Sequence, residues 1–161
     1  MDALYSSQIE NLYQQMYNML FEYARCSLEN DSLAEEAVQE TFRIACQKPE
    51  ALCTSPKPEG WLVNTLKYVI SNTIRSRATA DRILREYFAE CIKRVNENGD
   101  HVGIEILYED VAEMEEFRLL KEFAVDGRSH LEMAKSRGIS VDACRKRVQR
   151  AKEALQRKFE H

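Results

Sequence analysis

The amino-acid sequence predicts an all-α protein made of two small helical domains joined by a linker. Apolar residues recur at three- and four-residue spacing through most of the 161 residues, which is the period of an α-helix. All three prolines lie between residues 49 and 58, and the five glycines fall between periodic segments rather than inside them. The sequence therefore offers few places at which a helix must end.

The N-terminal half contains three predicted helices separated by turn signals. Ser32 and Glu35 fit a capping box at the start of the second helix, and the prolines predict a loop over residues 48–60. The third helix begins at Trp61 and keeps an apolar face beyond its basic centre, so it is predicted to continue toward Val95. The predicted bounds are residues 8–28, 32–47 and 61–77.

The C-terminal part of the sequence predicts a helix-turn-helix preceded by a helix over residues 110–125. Ser129 and Glu132 form a second capping-box signal, and Gly138 follows where a left-handed residue ends a helix. Ser140 then caps a helix with one apolar stripe and a basic outer face. This arrangement is used to enter the DNA major groove. A plain helical hairpin with a solvated charged face has the same pattern, so the motif alone does not decide the function.

The linker is predicted from the clearest break in helical periodicity, NENGDHVG at residues 96–103. The sequence on both sides of this break is acidic. We therefore expect a first domain over residues 1–95, an acidic linker over 96–112 and a second domain over 113–161.

Charge is distributed unevenly along the chain, although the formal net charge is only −4. Two acidic segments, residues 1–42 with −7 and residues 86–127 with −8, alternate with two basic ones. The basic segments are residues 43–85 with +5 and residues 128–161 with +6. The alternation predicts two separate contacts with a polyanion, and acidic surfaces that face protein or solvent.

The sequence carries no pattern typical of an enzyme. It has no Gly-rich phosphate loop, no GxSxG nucleophile motif and no HExxH zinc motif, so we expect no catalytic residues and no cofactor. The five cysteines form no CxxC pair and only three histidines occur, which argues against a metal site.

Nothing in the sequence predicts membrane insertion or secretion. No run approaches the ~18 apolar residues that a membrane-spanning helix needs. Residues 2–13 are acidic and amphipathic, unlike a secretion signal. The predicted location is the cytoplasm, where a reducing environment suits unpaired cysteines.

Two segments of the N-terminal half have side chains suited to macromolecular contacts. In residues 31–46, acidic and amide side chains crowd onto the face opposite the apolar one, which fits a face docked on a basic partner, although a solvated ridge has the same pattern. Residues 61–77 mix aromatic rings, amides and cations, which suits single-stranded nucleic acid because rings stack on bases and cations hold phosphates. Trp61 is equally well explained as a core residue.

Three segments, taken in their order along the chain, resemble the extracytoplasmic-function group of sigma-70 family sigma factors. These proteins direct bacterial RNA polymerase to promoters. AEEAVQETF at 34–42 resembles the family's polymerase-binding helix. PEGWLVNTLKYVISNTIRSR at 58–77 is similar to the helix by which the family binds the −10 promoter element. GRSHLEMAKSRGISVDACRKRVQRAKEAL at 127–155 is similar to the helix-turn-helix that reads the −35 element as duplex.

The resemblance implies which partners the protein binds and which residues contact them. The partners are core RNA polymerase, through its clamp coiled coil and flap, and promoter DNA, with an anti-sigma factor as a further candidate. Residues at the polymerase surface would be Glu36, Gln39, Glu40 and Arg43. Residues at the −10 element would be Trp61, Asn64, Lys67, Tyr68, Asn72 and Arg75. Residues at the −35 element would be Ser140, Asp142, Arg145, Lys146, Gln149 and Arg150.

The chain also departs from the family pattern at several positions. Lys67 and Tyr68 stand where relatives usually have Arg-Asn, and Arg128 stands where an apolar residue is usual. Asp142 would repel phosphate unless it accepts a hydrogen bond from a cytosine amino group. Two alternatives therefore stay open: a stand-alone helix-turn-helix transcriptional regulator, and a degenerate sigma-like protein that only binds polymerase.

Overall fold

In the computed structural model, which describes residues 2–97 and 104–158, the regular structure is entirely α-helical. The prediction of an all-α fold is confirmed. In this part of the chain the helices are α1 Ala3–Leu28, α2 Asp31–Gln47, α3 Pro49–Cys53, α4 Pro58–Glu97, α5 Ile104–Ala112, α6 Glu115–Ala124, α7 His130–Arg137 and α8 Val141–Arg157.

Packing divides the chain into two compact units, Met1–Arg75 and Ser76–His161, so the division falls inside α4 rather than at the predicted residue 95. The physical reason is the apolar face of the second part of α4. Ala80, Ile83 and Leu84 are buried in the core of the second unit, and none of them belongs to the first core.

The core of the first unit is built from one face each of α1, α2 and the beginning of α4, closed by Leu52 of α3. Leu20, Leu62 and Leu66 are fully buried. This core positions the first part of α4, because Leu62, Leu66 and Ile70 anchor one side of the helix and leave the opposite side outside the core.

Two local predictions for the first unit are wrong. Asn30, not Ser32, caps α2, because its side-chain oxygen accepts from the backbone N–H of Leu33 at 2.9 Å. The predicted loop over 48–60 contains the short helix α3, with Pro49 at its start. Proline is compatible with the first turn of a helix, since the N–H that it lacks would have no helical partner there.

The second unit is closed around α6, α7, α8 and the second part of α4. The predicted capping box is present: the Ser129 hydroxyl accepts from the backbone N–H of Glu132 at 3.1 Å. Gly138 ends α7 in the left-handed region with φ +66°, and Ser140 caps α8. These three predictions of the helix-turn-helix boundaries are confirmed.

The predicted linker over 96–112 is partly helical. Residues 104–112 form α5, and Val111 is buried in the second core. The remainder of the predicted break, residues 98–103, lies outside the described residues. No helix in the described ranges has both the length and the apolar run required to cross a membrane.

Candidate nucleic-acid interface

On α2, the structure separates the predicted outward residues into one buried and three accessible side chains. Glu36 is only 9% exposed, so the prediction that it faces outward is wrong. Eight of the 17 residues of α2 are buried, and they cover more than half of its circumference because α2 contacts both α1 and α3. The periodicity of one apolar stripe underestimates the buried side of such a helix.

Local pairs join the accessible side chains of α2. The Arg43 guanidinium contacts both carboxylate oxygens of Glu40, at 2.5 and 2.8 Å. Gln39 is exposed and donates from Nε2 to Oε1 of Glu35 at 3.3 Å. The surface is therefore polar and largely pre-arranged, with acid, amide and guanidinium groups side by side.

One face of α4 brings five of the six predicted residues into line. Trp61, Asn64, Tyr68, Asn72 and Arg75 follow one another at intervals of three or four residues, which places them on the same side of the helix. Trp61 is half-buried and packs against the first core, whereas Tyr68 is 59% exposed. The remaining three are exposed.

The sixth predicted residue, Lys67, is exposed but does not share this line. It lies about 100° around the helix axis from Tyr68. Its ammonium group is therefore placed beside the aromatic face rather than within it.

An open groove of about 570 Å³ runs beside the α4 face in the first unit. Its walls combine two aromatic rings with amide, hydroxyl and ammonium groups. The lining residues are Ile44, Gln47, Lys48, Ala51, Trp61, Asn64, Thr65 and Tyr68. Sequence reasoning missed the contribution of α3 because a loop was predicted there. It missed the contribution of the end of α2 because spacing along one helix does not show which helices lie side by side.

The outward face of α8 carries most of the predicted duplex-contact residues. Asp142, Lys146, Gln149 and Arg150 are exposed, and Arg145 is half-buried. Ser140 has a structural task, since its hydroxyl oxygen accepts from the Ala143 backbone N–H at 3.1 Å.

Glu153 shares the outward face of α8 and was missed by sequence reasoning. It accepts a hydrogen bond from Nε2 of Gln149 at 3.1 Å. The spacing of four residues was the signal that could have revealed this pair.

A half-buried carboxylate holds the turn that presents α8. Glu122 of α6 pairs with Arg128, just before α7, at 2.6 Å, and with Arg137, the last residue of α7. Burial opposes ionisation of Glu122, but the hydrogen bonds from Arg137 and Arg128 outweigh it and lower the pKa of this carboxyl group. Arg128, a departure from the family pattern, thus has a structural partner.

The basic tail of α8 turns one cation inward. Lys152 is 9% exposed and donates from Nζ to the Ser76 hydroxyl oxygen at 2.7 Å. Its ammonium lies 5.3 Å from the centre of the Phe123 ring, and burial lowers its pKa. Lys152 therefore belongs to the core of the second unit and not to the outward face of α8.

Among residues 2–97 and 104–158, no three His, Cys, Asp or Glu side chains are arranged to hold a metal ion. The two surfaces therefore offer rings, amides and charges for recognition. Neither surface combines these groups into a metal centre.

Residues 12–79 match the family model of sigma-70 region 2. The matched segment contains most of α1, all of α2 and α3, and the part of α4 that carries the aromatic face. No curated protein and no solved structure matches the chain significantly. Residues 12–79 are therefore similar to region 2 of the sigma-70 family, which supports the predicted resemblance to sigma factors that bind RNA polymerase and act in promoter recognition.

Proposed function

We propose that this protein is an extracytoplasmic-function type sigma factor that acts in the cytoplasm and directs core RNA polymerase to promoters with −10 and −35 elements. The observation that carries the proposal is the aromatic and amide face of α4 beside an open groove, inside the segment that matches sigma-70 region 2. The first unit would bind the −10 element, and the second unit would bind the −35 element.

The −10 contact follows from the chemistry of the α4 face. Exposed Tyr68 and half-buried Trp61 present ring surfaces on which an unpaired base can stack, and stacking contributes about 1–3 kcal/mol per base. Asn64 adds an amide that can pair with a base edge, and Arg75 adds a cation for the backbone. The groove lies within the ~300–1,000 Å³ range of pockets that hold small organic groups. Trapping of unstacked bases would shift the duplex toward its open state.

The polymerase contact is assigned to the accessible side of α2. Gln39, Glu40 and Arg43 are available there, whereas buried Glu36 would support the helix from inside. The Glu40–Arg43 pair fixes both side chains on the surface, so little side-chain freedom is lost when a partner binds. An anti-sigma factor would block initiation by covering this surface or either of the two proposed DNA contacts.

The −35 contact is assigned to α8. Lys146 and Arg150 are exposed cations suited to phosphates, and the exposed side chains of Asp142 and Gln149 would contact base edges. Core polymerase would hold both contacts at once, so each weak contact raises the effective concentration of the other.

Run-off transcription and footprinting with core polymerase, with and without the chain, test this proposal. The expected result is a defined transcript start and protection of two separated promoter segments only when both proteins are present. Protection of a palindromic site by the chain alone would instead identify a stand-alone regulator. Polymerase binding without promoter preference would identify a degenerate sigma-like protein.

A further inference from the structure

The outward face of α8 offers hydrogen-bond acceptors as well as cations. Asp142 and Gln149 are both exposed and lie seven residues apart, on the same side of the helix and about 10 Å apart along its axis. In the part of the chain that the structure describes, the Asp142 carboxylate forms no ion pair, although Lys146 follows four residues later. This carboxylate is therefore available to a ligand.

The Glu153 carboxylate determines how Gln149 is oriented. The two side chains are joined by a hydrogen bond of 3.1 Å from Nε2 of Gln149 to Oε1 of Glu153. An ionised carboxylate can only accept hydrogen bonds, so the NH₂ group of the amide must point toward Glu153. The amide oxygen Oε1 is then left to accept from an outside donor.

Carboxylates on this face weaken its attraction to a polyanion, so their presence needs a compensating role. The helix dipole accounts for an acid at Asp142, in the first turn of α8. It gives no stabilisation to Glu153, which lies in the C-terminal half of the helix. Recognition of base donors accounts for both positions, because every base pair exposes one amino group in the major groove, on adenine or on cytosine.

We propose that Asp142 and Gln149 are specificity-determining residues of the duplex site, each accepting a hydrogen bond from the exocyclic amino group of cytosine or adenine, with Glu153 as the positioning residue for Gln149. The inference rests on the proposed −35 contact of α8. At about 3.4 Å per base pair, the 10 Å between the two acceptors corresponds to about three base pairs.

The test is selection from promoters with a randomised −35 region, using the chain bound to core polymerase. The unmodified chain should prefer cytosine or adenine on one strand at two positions about three base pairs apart. Asp142→Ala should relax one position and Glu153→Ala the other, each by about five- to 150-fold in relative affinity. Asp142→Asn should change the preference at its position toward adenine, because an amide pairs with adenine N6 and N7.

Glu115→Ala is the matched control, because Glu115 is an exposed acid in the first turn of α6, outside α8. It should leave both preferences unchanged. If Asp142→Ala and Glu153→Ala instead strengthen binding to every sequence equally and leave both preferences unchanged, the two acids only repel DNA and the inference is overturned. If the unmodified complex selects no −35 sequence at all, the proposed function of α8 fails first. Asp142→Asn keeps a side chain of the same shape and provides the second test if Asp142→Ala does not fold.

Discussion

The face of α4 and the outward face of α8 differ in the side chains that they offer to a nucleic acid. The α4 face has two aromatic rings, two amides and a single cation, Arg75, beside an open groove. The α8 face has no aromatic residue and consists of cations, acids and an amide. Rings suit bases that have left the stack, whereas cations suit the phosphates of an intact duplex. Under the proposed function, the α4 face would serve opened DNA and the α8 face duplex DNA.

The two faces also differ in how the protein holds them. Behind the α4 face lies an apolar anchor that includes Leu62 and Leu66. Behind α8 lie an apolar stripe, the Glu122 pairs with Arg128 and Arg137, and the buried ammonium of Lys152. Apolar packing is itself insensitive to pH, whereas the Glu122 pairs behind α8 should respond to titration.

The largest expected effect comes from removing one buried leucine from either core. Leu66 and Leu120 are both fully buried, and each Leu→Ala change should lower the free energy of unfolding of its own unit by about 2–5 kcal/mol. Trp61 is the only tryptophan and lies in the first unit, so its fluorescence reports on that unit alone. In urea unfolding, the Trp61 transition should move with Leu66→Ala and hardly with Leu120→Ala.

The control for this pair is Leu4→Ala, since Leu4 is 62% exposed and its loss should change stability by less than about 0.5 kcal/mol. If Leu120→Ala moves the Trp61 transition as far as Leu66→Ala does, the two cores unfold together. The contrast between the supports of the two faces would then lose its thermodynamic meaning.

A second, smaller effect is expected at Glu122. Glu122→Ala leaves two half-buried guanidinium groups without their carboxylate and should lower the free energy of unfolding of the second unit by about 1–3 kcal/mol. The pKa of Glu122 is lowered in the folded protein, so the folded state stabilises the ionised form. This contribution is complete above the ordinary value of 4.5 and is lost as the pH falls through the lowered pKa.

The measurement is thermal unfolding between pH 3 and 7, followed by circular dichroism. The matched control is Glu22→Ala, because Glu22 forms a Glu–Arg pair with Arg25 in the first unit that is exposed to solvent and should contribute almost nothing to stability. Equal effects of both substitutions at neutral pH, or an acid transition of the second unit that is unchanged in Glu122→Ala, would contradict the assigned role of Glu122.

The sequence was informative where structure depends on neighbours in the chain. Ser129, Gly138 and Ser140 set the bounds of α7 and α8 through local hydrogen bonds and one left-handed residue, and all three were predicted. Local chemistry was ambiguous at the start of α2, where two capping residues stand two positions apart and Asn30 takes the role of Ser32.

Contacts between distant residues could not be predicted from spacing. Glu122 meets Arg137 across 15 residues, and Lys152 meets Ser76 across 76. The burial of Glu36 depends on the packing of α2 against two other helices, which one apolar stripe does not reveal. The α4 face was predicted nearly complete because it lies on one helix, whereas the opposite wall of its groove was missed because α3 was not predicted.

A third effect should separate recognition from stability at the α4 face. Tyr68 is 59% exposed, so Tyr68→Ala should leave the free energy of unfolding nearly unchanged. In the complex with core polymerase, it should weaken binding of a single-stranded −10 oligonucleotide by about 1–3 kcal/mol through loss of stacking. Fluorescence anisotropy measures the affinity. Tyr68→Phe keeps the ring and should bind like the unmodified chain; a loss equal to that of Tyr68→Ala would show that the hydroxyl, not the ring, makes the contact.

The smallest expected effect is a change in the salt dependence of DNA binding, which tests whether the cations of α8 contact phosphates. Lys146 is an exposed cation on α8, and Lys146→Ala should remove about one phosphate contact. The fall of log K with log salt should then be less steep by about 0.9. The affinity of the polymerase complex for promoter duplex is measured from 50 to 300 mM salt. Tyr68→Ala should reduce affinity for opened DNA without changing that slope, because stacking releases no counterions. Lys93→Ala removes an exposed cation of α4 outside both faces and should leave the slope unchanged. If Lys146→Ala also leaves the slope unchanged, α8 does not meet phosphates and the assignment of the basic face to duplex DNA is wrong.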